Sequence, residues 1–506
     1  MARTQKDQQM ALDLVEAGTE ESEAERFQNK DFKLPSNIPK KMVMQDALRI
    51  AWPSLVELML TQIASMVDTM MVGNIGANVV GAEQGVEGAR AVVAVSLSIQ
   101  PIFLLNTLIM ALNVGATALV ARYKGAGQKD QADLVFRQAF GLTFVISLFM
   151  SLLGYVFAEP MCRFMGAGAI EESVIHDATV YMQIRMLGFV AVSLTATITA
   201  ALRGAGDART AMIYNTIANL LNVFLNWVLI YGNLGMPELK VAGAAWATIA
   251  GQFVAFVIAM VSVMRKNSKK YVRLDFRKGF RPDKGILQGF WQIGYPSMME
   301  QLIMRVGVVV FSRTVAGLGE DGLATHQICM NIMALSFMMG QAFSNAATSL
   351  VGQSLGKYRS DMAKQYGNYT VYLGVLASLV LTALFYFFGA EIVMLYNKKP
   401  EVVESGAVIM RFVAFVQPFQ CMQFVESGAL RGAGDTRSTM IVTMISILLV
   451  RMALALLLVN VFDMGLYGAW IALLGDQLLR TVLIGYRYHS NKWMLFKVKG
   501  SKAKPA

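Results

Sequence analysis

Apolar runs of about 18 residues or more, separated by short polar breaks, recur from about residue 45 to residue 488. They predict helices near 47–72, 90–120, 137–157, 179–202, 211–231 and 242–264. A second set follows near 289–316, 324–352, 367–389, 407–430, 439–460 and 467–487. Each run is long enough to cross a hydrocarbon core of ~30 Å. The most basic stretch of the chain, Arg265 to Lys284, lies between the two sets. The chain therefore reads as a polar tail over 1–44, a six-helix lobe over 45–264 and a basic linker over 265–288. A second six-helix lobe over 289–488 and a basic tail over 489–506 complete it.

The two sets repeat one another. Leu202-Arg203-Gly204-Ala205-Gly206-Asp207-Ala208-Arg209-Thr210 returns as Leu430-Arg431-Gly432-Ala433-Gly434-Asp435-Thr436-Arg437-Ser438, an offset of 228. Pro53-Ser54-x-x-Glu57 matches Pro296-Ser297-x-x-Glu300 at 243, and Ala116-Thr117-x-Leu119-Val120 with Gly125 matches Ala347-Thr348-x-Leu350-Val351 with Gly356 at 231. Gly243-Ala244, Ala247 and Gln252 match Gly468-Ala469, Ala472 and Gln477 at 225. Six spans per copy give both copies one orientation, with a pseudo-twofold axis along the membrane normal. The expected fold is an all-α polytopic membrane protein of twelve transmembrane helices in two facing six-helix lobes.

Charge sets the orientation. The even-numbered connections hold 19 Lys and Arg and the odd-numbered ones 4, so the even connections and both termini are expected in the cytoplasm of a plasma-membrane protein. The composition agrees: 55% hydrophobic, 16% charged, mean hydropathy +0.48. The net charge of +11 belongs to loops facing lipid headgroups, not to a nucleic-acid surface. Residues 1–40 begin acidic (Asp13, Glu16, Glu20, Glu21), turn basic through Lys30, Lys33 and Lys40, and hold no apolar signal-peptide core. Cys162, Cys329 and Cys421 are isolated, as are His176, His326 and His489. No disulfide framework, zinc spacing or catalytic centre follows, and an enzyme is not expected.

The repeated loop contains G-x-G, yet it joins two membrane helices and lacks the βαβ setting of a dinucleotide site. It reads as a tight hairpin, with Gly204 and Gly432 ending the incoming helix in a left-handed conformation and Asp207 and Asp435 at the next N-terminus. Together with P-S-x-x-E in spans 1 and 7, Val67-Asp68-Thr69 with Val72-Gly73, and Thr325-His326-Gln327-Ile328, the repeated L-R-G-A-G-D-x-R resembles the multidrug and toxic compound extrusion family. That resemblance implies alternating access between two lobes. It also implies export of organic, often cationic compounds driven by inward Na⁺ or H⁺ flow.

An acid inside the membrane is expensive and marks function by default. Asp68 lies in the outer half of span 1, and its span-7 counterpart is Phe311. Asn222 and Asn226 share one face of span 5, and Thr248 lies on span 6. With Asp68 these offer oxygens for Na⁺ or a network around a protonatable acid; by spacing alone they fit helix-packing amides equally. The resemblance implies a cation site in the N-terminal lobe built from spans 1, 5 and 6, although some relatives carry Asp where this chain has Asn226. Glu57, Glu300 and Glu426 are candidate substrate-facing or second-lobe polar positions; the alternative for the first two is bonding to irregular backbone near Pro53 and Pro296. Arg305, Arg313 and Arg451 are also intramembrane, and Asp476 and Arg480, four apart, are expected to pair. Among 34 methionines, Met66, Met70, Met298 and Met304 are candidate lining residues. The expected function is cation-coupled antiport of an organic cation by a monomer, with Na⁺ or H⁺ as the coupling ion and no organic cofactor. The alternative is a lipid-linked oligosaccharide flippase, for which Arg305 and Arg451 would face the pyrophosphate.

Overall fold

A computed structural model describes residues 39–76, 86–166, 170–265, 270–279, 282–316, 320–397 and 399–496. All regular secondary structure among the described residues is helical. The twelve long helices are α1 (Lys40–Gly73), α2 (Val86–Gly125), α3 (Lys129–Val156), α4 (Glu172–Gly204), α5 (Ala208–Tyr231) and α6 (Lys240–Met264), then α7 (Lys284–Ala316), α8 (Glu320–Gly356), α9 (Ser360–Met394), α10 (Pro400–Ala433), α11 and α12 (Gly465–His489). Helix α11 starts as Thr436–Met444, widens to a π-helix over Ile445–Arg451, tightens over Met452–Leu456 and widens again over Leu457–Val461. A short helix, Ala158–Gly166, joins α3 to α4.

Most helices overrun the apolar segments that announce them, because a helix continues into the polar interface once nucleated. Thus α1 begins at Lys40, inside the segment assigned above to the polar tail, and Val43 is already buried. Residues 1–38 of that tail lie outside the described residues. Among the described residues, nine helices carry an apolar 18-residue window; α7, α8 and α12 do not. Glu300 and Arg305 interrupt α7 and Asp476 and Arg480 interrupt α12, so polarity concentrates in the C-terminal lobe.

Packing repeats between lobes. Helix α2 packs on α4 as α8 packs on α10, α1 on α5 as α7 on α11, and α4 on α6 as α10 on α12. Between lobes, α1 meets α8 as α7 meets α2, and α2 crosses α8. That crossing lies on the face carrying the even-numbered, basic connections. A Cβ on Gly125 would fall on the Gln353 carbonyl, and one on Gly356 would fall on the Arg122 carbonyl. These are one contact seen twice, since 231 positions separate both Gly125 from Gly356 and Arg122 from Gln353. Gly352 meets its own repeat partner, Ala121, at 2.9 Å from a hypothetical Cβ. Small residues let the two backbones touch, and Gln353 Nε2 adds a hydrogen bond to Gly204 O at 3.0 Å. The basic face is closed.

Overpacking such a contact costs about 1–3 kcal/mol, which shifts a two-state equilibrium by roughly 5- to 150-fold. Gly125→Val or Gly356→Val is therefore expected to open the basic face. Ser349→Cys, at a fully buried position bonded to Gly204 O, should gain reactivity toward a maleimide in either valine background. Unchanged labelling would count against the crossing as the closure.

The inner half of α1 belongs to the opposite lobe: Val43, Ala47, Ile50 and Ala51 share a core with α8, α9 and α10, and Tyr366 donates to Asp46 at 2.8 Å. The linker is not loose where described: Val272 and Leu274 are buried in the N-terminal lobe, and Asp133 accepts from the Arg273 amide at 2.7 Å. The expected C-terminal tail also starts packed. Trp493 is fully buried, stacks on Tyr488 and donates to Tyr488 O at 2.8 Å; residues 497–506 lie outside the described residues.

Both copies of the repeated loop form the hairpin, with one correction. Gly206 and Gly434, not Gly204 and Gly432, take positive φ, +74° and +88°. Gly204 and Gly432 instead let the helix lie against the Thr117 and Thr348 carbonyls, where a Cβ would intrude. Asp207 and Asp435 cap the next helices, accepting from the amides of Thr210 at 3.2 Å and Ser438 at 3.4 Å.

Candidate functional site

Helices α1 and α5 run side by side and are joined by a polar ladder. Asn215 donates to Glu57 at 2.6 Å, Asn219 to Thr61 at 3.0 Å, and Asn226 to Asp68. Each rung spans 158 residues, because Glu57, Thr61 and Asp68 share the 4- and 7-residue spacing of Asn215, Asn219 and Asn226. Asn215 and Asn219 were not singled out from the sequence; that matched spacing was the available signal. The buried Asn226 amide facing Asp68 is costly to leave unpaired, and with the half-buried Asn215 facing Glu57 it holds the register of α1 on α5.

The outermost rung is a cluster. Asp68 is half-buried, and Asn226 and Asn222 are buried at 0% and 7% exposure. With its nitrogen turned toward the acid, the Asn222 amide donates to Asp68 Oδ1 at 2.9 Å and accepts from the Thr248 amide. In the opposite orientation it donates to Thr248 Oγ1 at 3.3 Å. Asn226 Oδ1 is buried with no hydrogen-bond donor among the described residues. Arg185 on α4 lies within electrostatic range of the Asp68 carboxylate without pairing to it. All four residues proposed from the sequence thus meet around Asp68. The cluster offers carboxylate, amide and hydroxyl oxygens, a donor set suited to a hard cation, and an acid that can instead take a proton.

The remaining acids sit differently. Glu57 pairs with Arg203 at 2.8 Å and Glu300 with Arg431 at 2.9 Å, so each P-S-x-x-E glutamate is tied to the arginine of its own L-R-G-A-G-D loop. Thr439 adds a bond to Glu300 at 3.0 Å. The aspartates of the same loops pair with bases near the lobe ends, Asp207 with Lys270 at 2.6 Å and Asp435 with Arg487 at 2.7 Å. Lys270 and Thr210 offset the effect of burial and hold the Asp207 carboxyl below its ordinary pKa. Glu426, proposed as a substrate-facing or second-lobe polar position, is buried at 1% exposure beside His489 Nδ1, 3.9 Å away. Asp476 pairs with Arg480 at 2.7 Å as expected, and with Arg451 as well. Arg305 lies over the Phe103 ring at 4.4 Å, an inter-lobe contact. The Arg313 side chain lies outside the described residues.

Away from the basic face, polar side chains are exposed in mid-helix: Ser65 and Thr69 on α1, Ser96 and Gln100 on α2, Gln327 and Asn331 on α8. The α2 and α8 pairs are repeat equivalents at the offset of 231. Thr69 returns its hydroxyl to Ser65 O at 3.0 Å, and the amides of Gln100, Gln327 and Asn331 are polar groups at positions where lipid would be a costly neighbour. These residues are candidates to face a polar path between the lobes, on the side of the bundle where α1 carries Asp68.

Both lobes match one family model, MatE, over residues 53–228 and 296–457. The chain belongs to the MatE family. Its relatives include the probable multidrug resistance protein NorM of Thermotoga maritima, 29% identical over 92% of this chain and 96% of that protein. Multidrug resistance protein MdtK of Yersinia enterocolitica is 28% identical, over 78% of this chain and 83% of its own length. Among solved structures, an outward-facing multidrug resistance MATE transporter superimposes with TM-score 0.80 at 21% identity, covering 89% of this chain and 97% of the other. This MatE protein therefore has the twelve-helix, two-lobe transporter fold of its family.

Proposed function

We propose that this MatE protein is a cation-coupled antiporter that exports organic cations by alternating access from the cytoplasm. The observation that carries this reading is the Asp68, Asn222, Asn226 and Thr248 cluster beside the cleft. The names of the NorM and MdtK relatives support multidrug export, and the excess of basic residues assigns the closed face to the cytoplasm. On that reading the α2–α8 crossing is the inner closure of an outward-facing state.

The chemistry follows from charge. An ionised Asp68 holds the two amide nitrogens toward itself. Na⁺ would turn the Asn222 and Asn226 oxygens inward, whereas a proton would neutralise the acid directly. Either change lowers the cost of closing the lobe over Asp68. Because α1 carries Asp68 at one end and packs on α8 and α9 at the other, ion binding and the basic-face closure share one helix. A cationic substrate favours the ionised acid and the ion opposes it, so the two compete, and ion entry drives release. Glu57 and Glu300 serve here as struts between helix and loop, and Met66 and Met70 offer adaptable apolar contact along the cleft.

Everted membrane vesicles test this reading. A fluorescent organic cation should accumulate when a Na⁺ or a pH gradient is imposed across the vesicle membrane. Accumulation indifferent to both gradients would overturn it.

A further inference from the structure

The C-terminal lobe contains the counterpart of the Asp68 cluster, and different residues fill it. Across the repeat, Asp68 corresponds to Phe311 at the offset of 243, and Thr248 and Gly251 correspond to Leu473 and Asp476 at 225. Helix α5 maps onto α11 at 228 from the loop onward. The π-helix over Ile445–Arg451 inserts one residue into that register, which brings Arg451 into the place of Asn222. Two contacts bear out the alignment. In the N-terminal lobe, a Cβ on Gly251 would lie 3.2 Å from Asn222 Cβ; in the C-terminal lobe, the equivalent pair, Asp476 and Arg451, forms an ion pair. Asn222 also reaches Asp68, and the Arg451 guanidinium correspondingly sits over the Phe311 ring at 6.0 Å.

The charges match as well. In the N-terminal lobe one acid, Asp68, has one arginine, Arg185 on α4, within electrostatic range but not in an ion pair with it, and the two charges sum to zero until a cation arrives. In the C-terminal lobe one acid, Asp476, is bound by Arg480 at 2.7 Å, and Arg451 is the additional positive charge. Asp476 is 0% exposed and Arg451 7%, so this charge does not exchange with solvent. Ser446 holds the carboxylate further, donating to Asp476 Oδ1 at 2.7 Å.

We infer that Arg451 is a tethered substitute for the coupling cation: the C-terminal lobe is permanently in the ion-loaded arrangement, and only the N-terminal lobe exchanges its ion. This inference rests on the coupling reading and adds to it a residue and a stoichiometry, one exchangeable ion per chain. The bulged turn of α11 has a role on this account, since without the inserted residue Arg451 would be rotated away from Asp476.

The test counts exchangeable ions on purified protein by radioactive Na⁺ binding and by proton release. The parent is expected to bind one, lost in Asp68→Asn. Arg451→Ala frees a pocket with one acid and one arginine, so it is expected to bind two, one of which persists in Asp68→Asn/Arg451→Ala and is displaced by guanidinium. Arg451→Lys keeps a tethered cation and should bind one. Arg451→Ala with an unchanged count overturns the inference while leaving the coupling reading intact. A parent with no Asp68-dependent ion overturns both. Should Arg451→Ala fail to fold, the reciprocal graft decides. Asn222→Arg places a tethered guanidinium beside Asp68 and should bind no exchangeable ion; continued ion binding there overturns the inference.

Discussion

Replacing Asp68 by Asn is expected to abolish gradient-driven transport while leaving the fold and its melting temperature close to those of the parent. The substitution preserves shape and the partnership with Asn226, and removes only the charge that can appear and disappear. Without it, ion binding has no acid to neutralise, and the free energy of the gradient has no differential affinity through which to act. Counterflow of substrate across proteoliposomes with no imposed gradient should survive in this variant, because it needs the cleft and the basic-face closure but no ion. The pattern that would count against the assignment is equal loss of counterflow and gradient-driven uptake, which would make Asp68 a substrate ligand alone or a structural residue. Full gradient-driven activity would remove its role altogether.

The second large effect concerns stability. Glu57 and Glu300 are each 4% exposed, and each has one arginine, Arg203 or Arg431, supplied by the repeated loop. Removing one partner of a buried pair strands the other charge and costs about 3–5 kcal/mol. Arg203→Met and Arg431→Met are therefore expected to melt well below the parent in detergent. Much of the loss should return in Arg203→Met/Glu57→Gln and Arg431→Met/Glu300→Gln, where no charge is stranded. Single variants that melt with the parent, or double variants no better than the singles, would contradict the strut role. The two lobes should respond unequally: Thr439 also bonds Glu300, whereas the second oxygen of Glu57 is buried with no donor among the described residues.

Much of this architecture is legible in the sequence because the bilayer forces it. Spans must be apolar and helical, so their number, order and repeat can be read directly, and the basic loops follow from the same constraint. Helix ends are less legible: the turn Lys40–Met44 opens with two lysines and is followed by Gln45 and Asp46, so its apolar Met42, Val43 and Met44 do not join the first apolar run. The loop glycines show a sharper limit. Leu-Arg-Gly-Ala-Gly-Asp offers two candidates for the left-handed residue, and the choice depends on Thr117 and Thr348, whose carbonyls need the room at the first glycine. For the candidate site, residue types and spacing place Asn222 and Asn226 on one face but fit helix-packing amides equally. The family resemblance groups them with Asp68 and Thr248, and the structure brings the four together. The partners of Glu57 and Glu300 were not readable, since proximity between a span and a loop well over 100 residues away is a property of the packed bundle. The exchange of Asn222 for Arg451 was hidden too, because the π-turn shifts α11 by one residue and a constant offset misaligns it.

The measurement closest to the centre of the account is the ion count of a single substrate-binding event. Purified protein is equilibrated with radioactive Na⁺ at fixed pH, or held in weak buffer for proton release, and an organic cation is added. The account predicts release of one ion per chain from the parent and none from Asp68→Asn. Substrate binding that displaces neither Na⁺ nor a proton from the parent would contradict it.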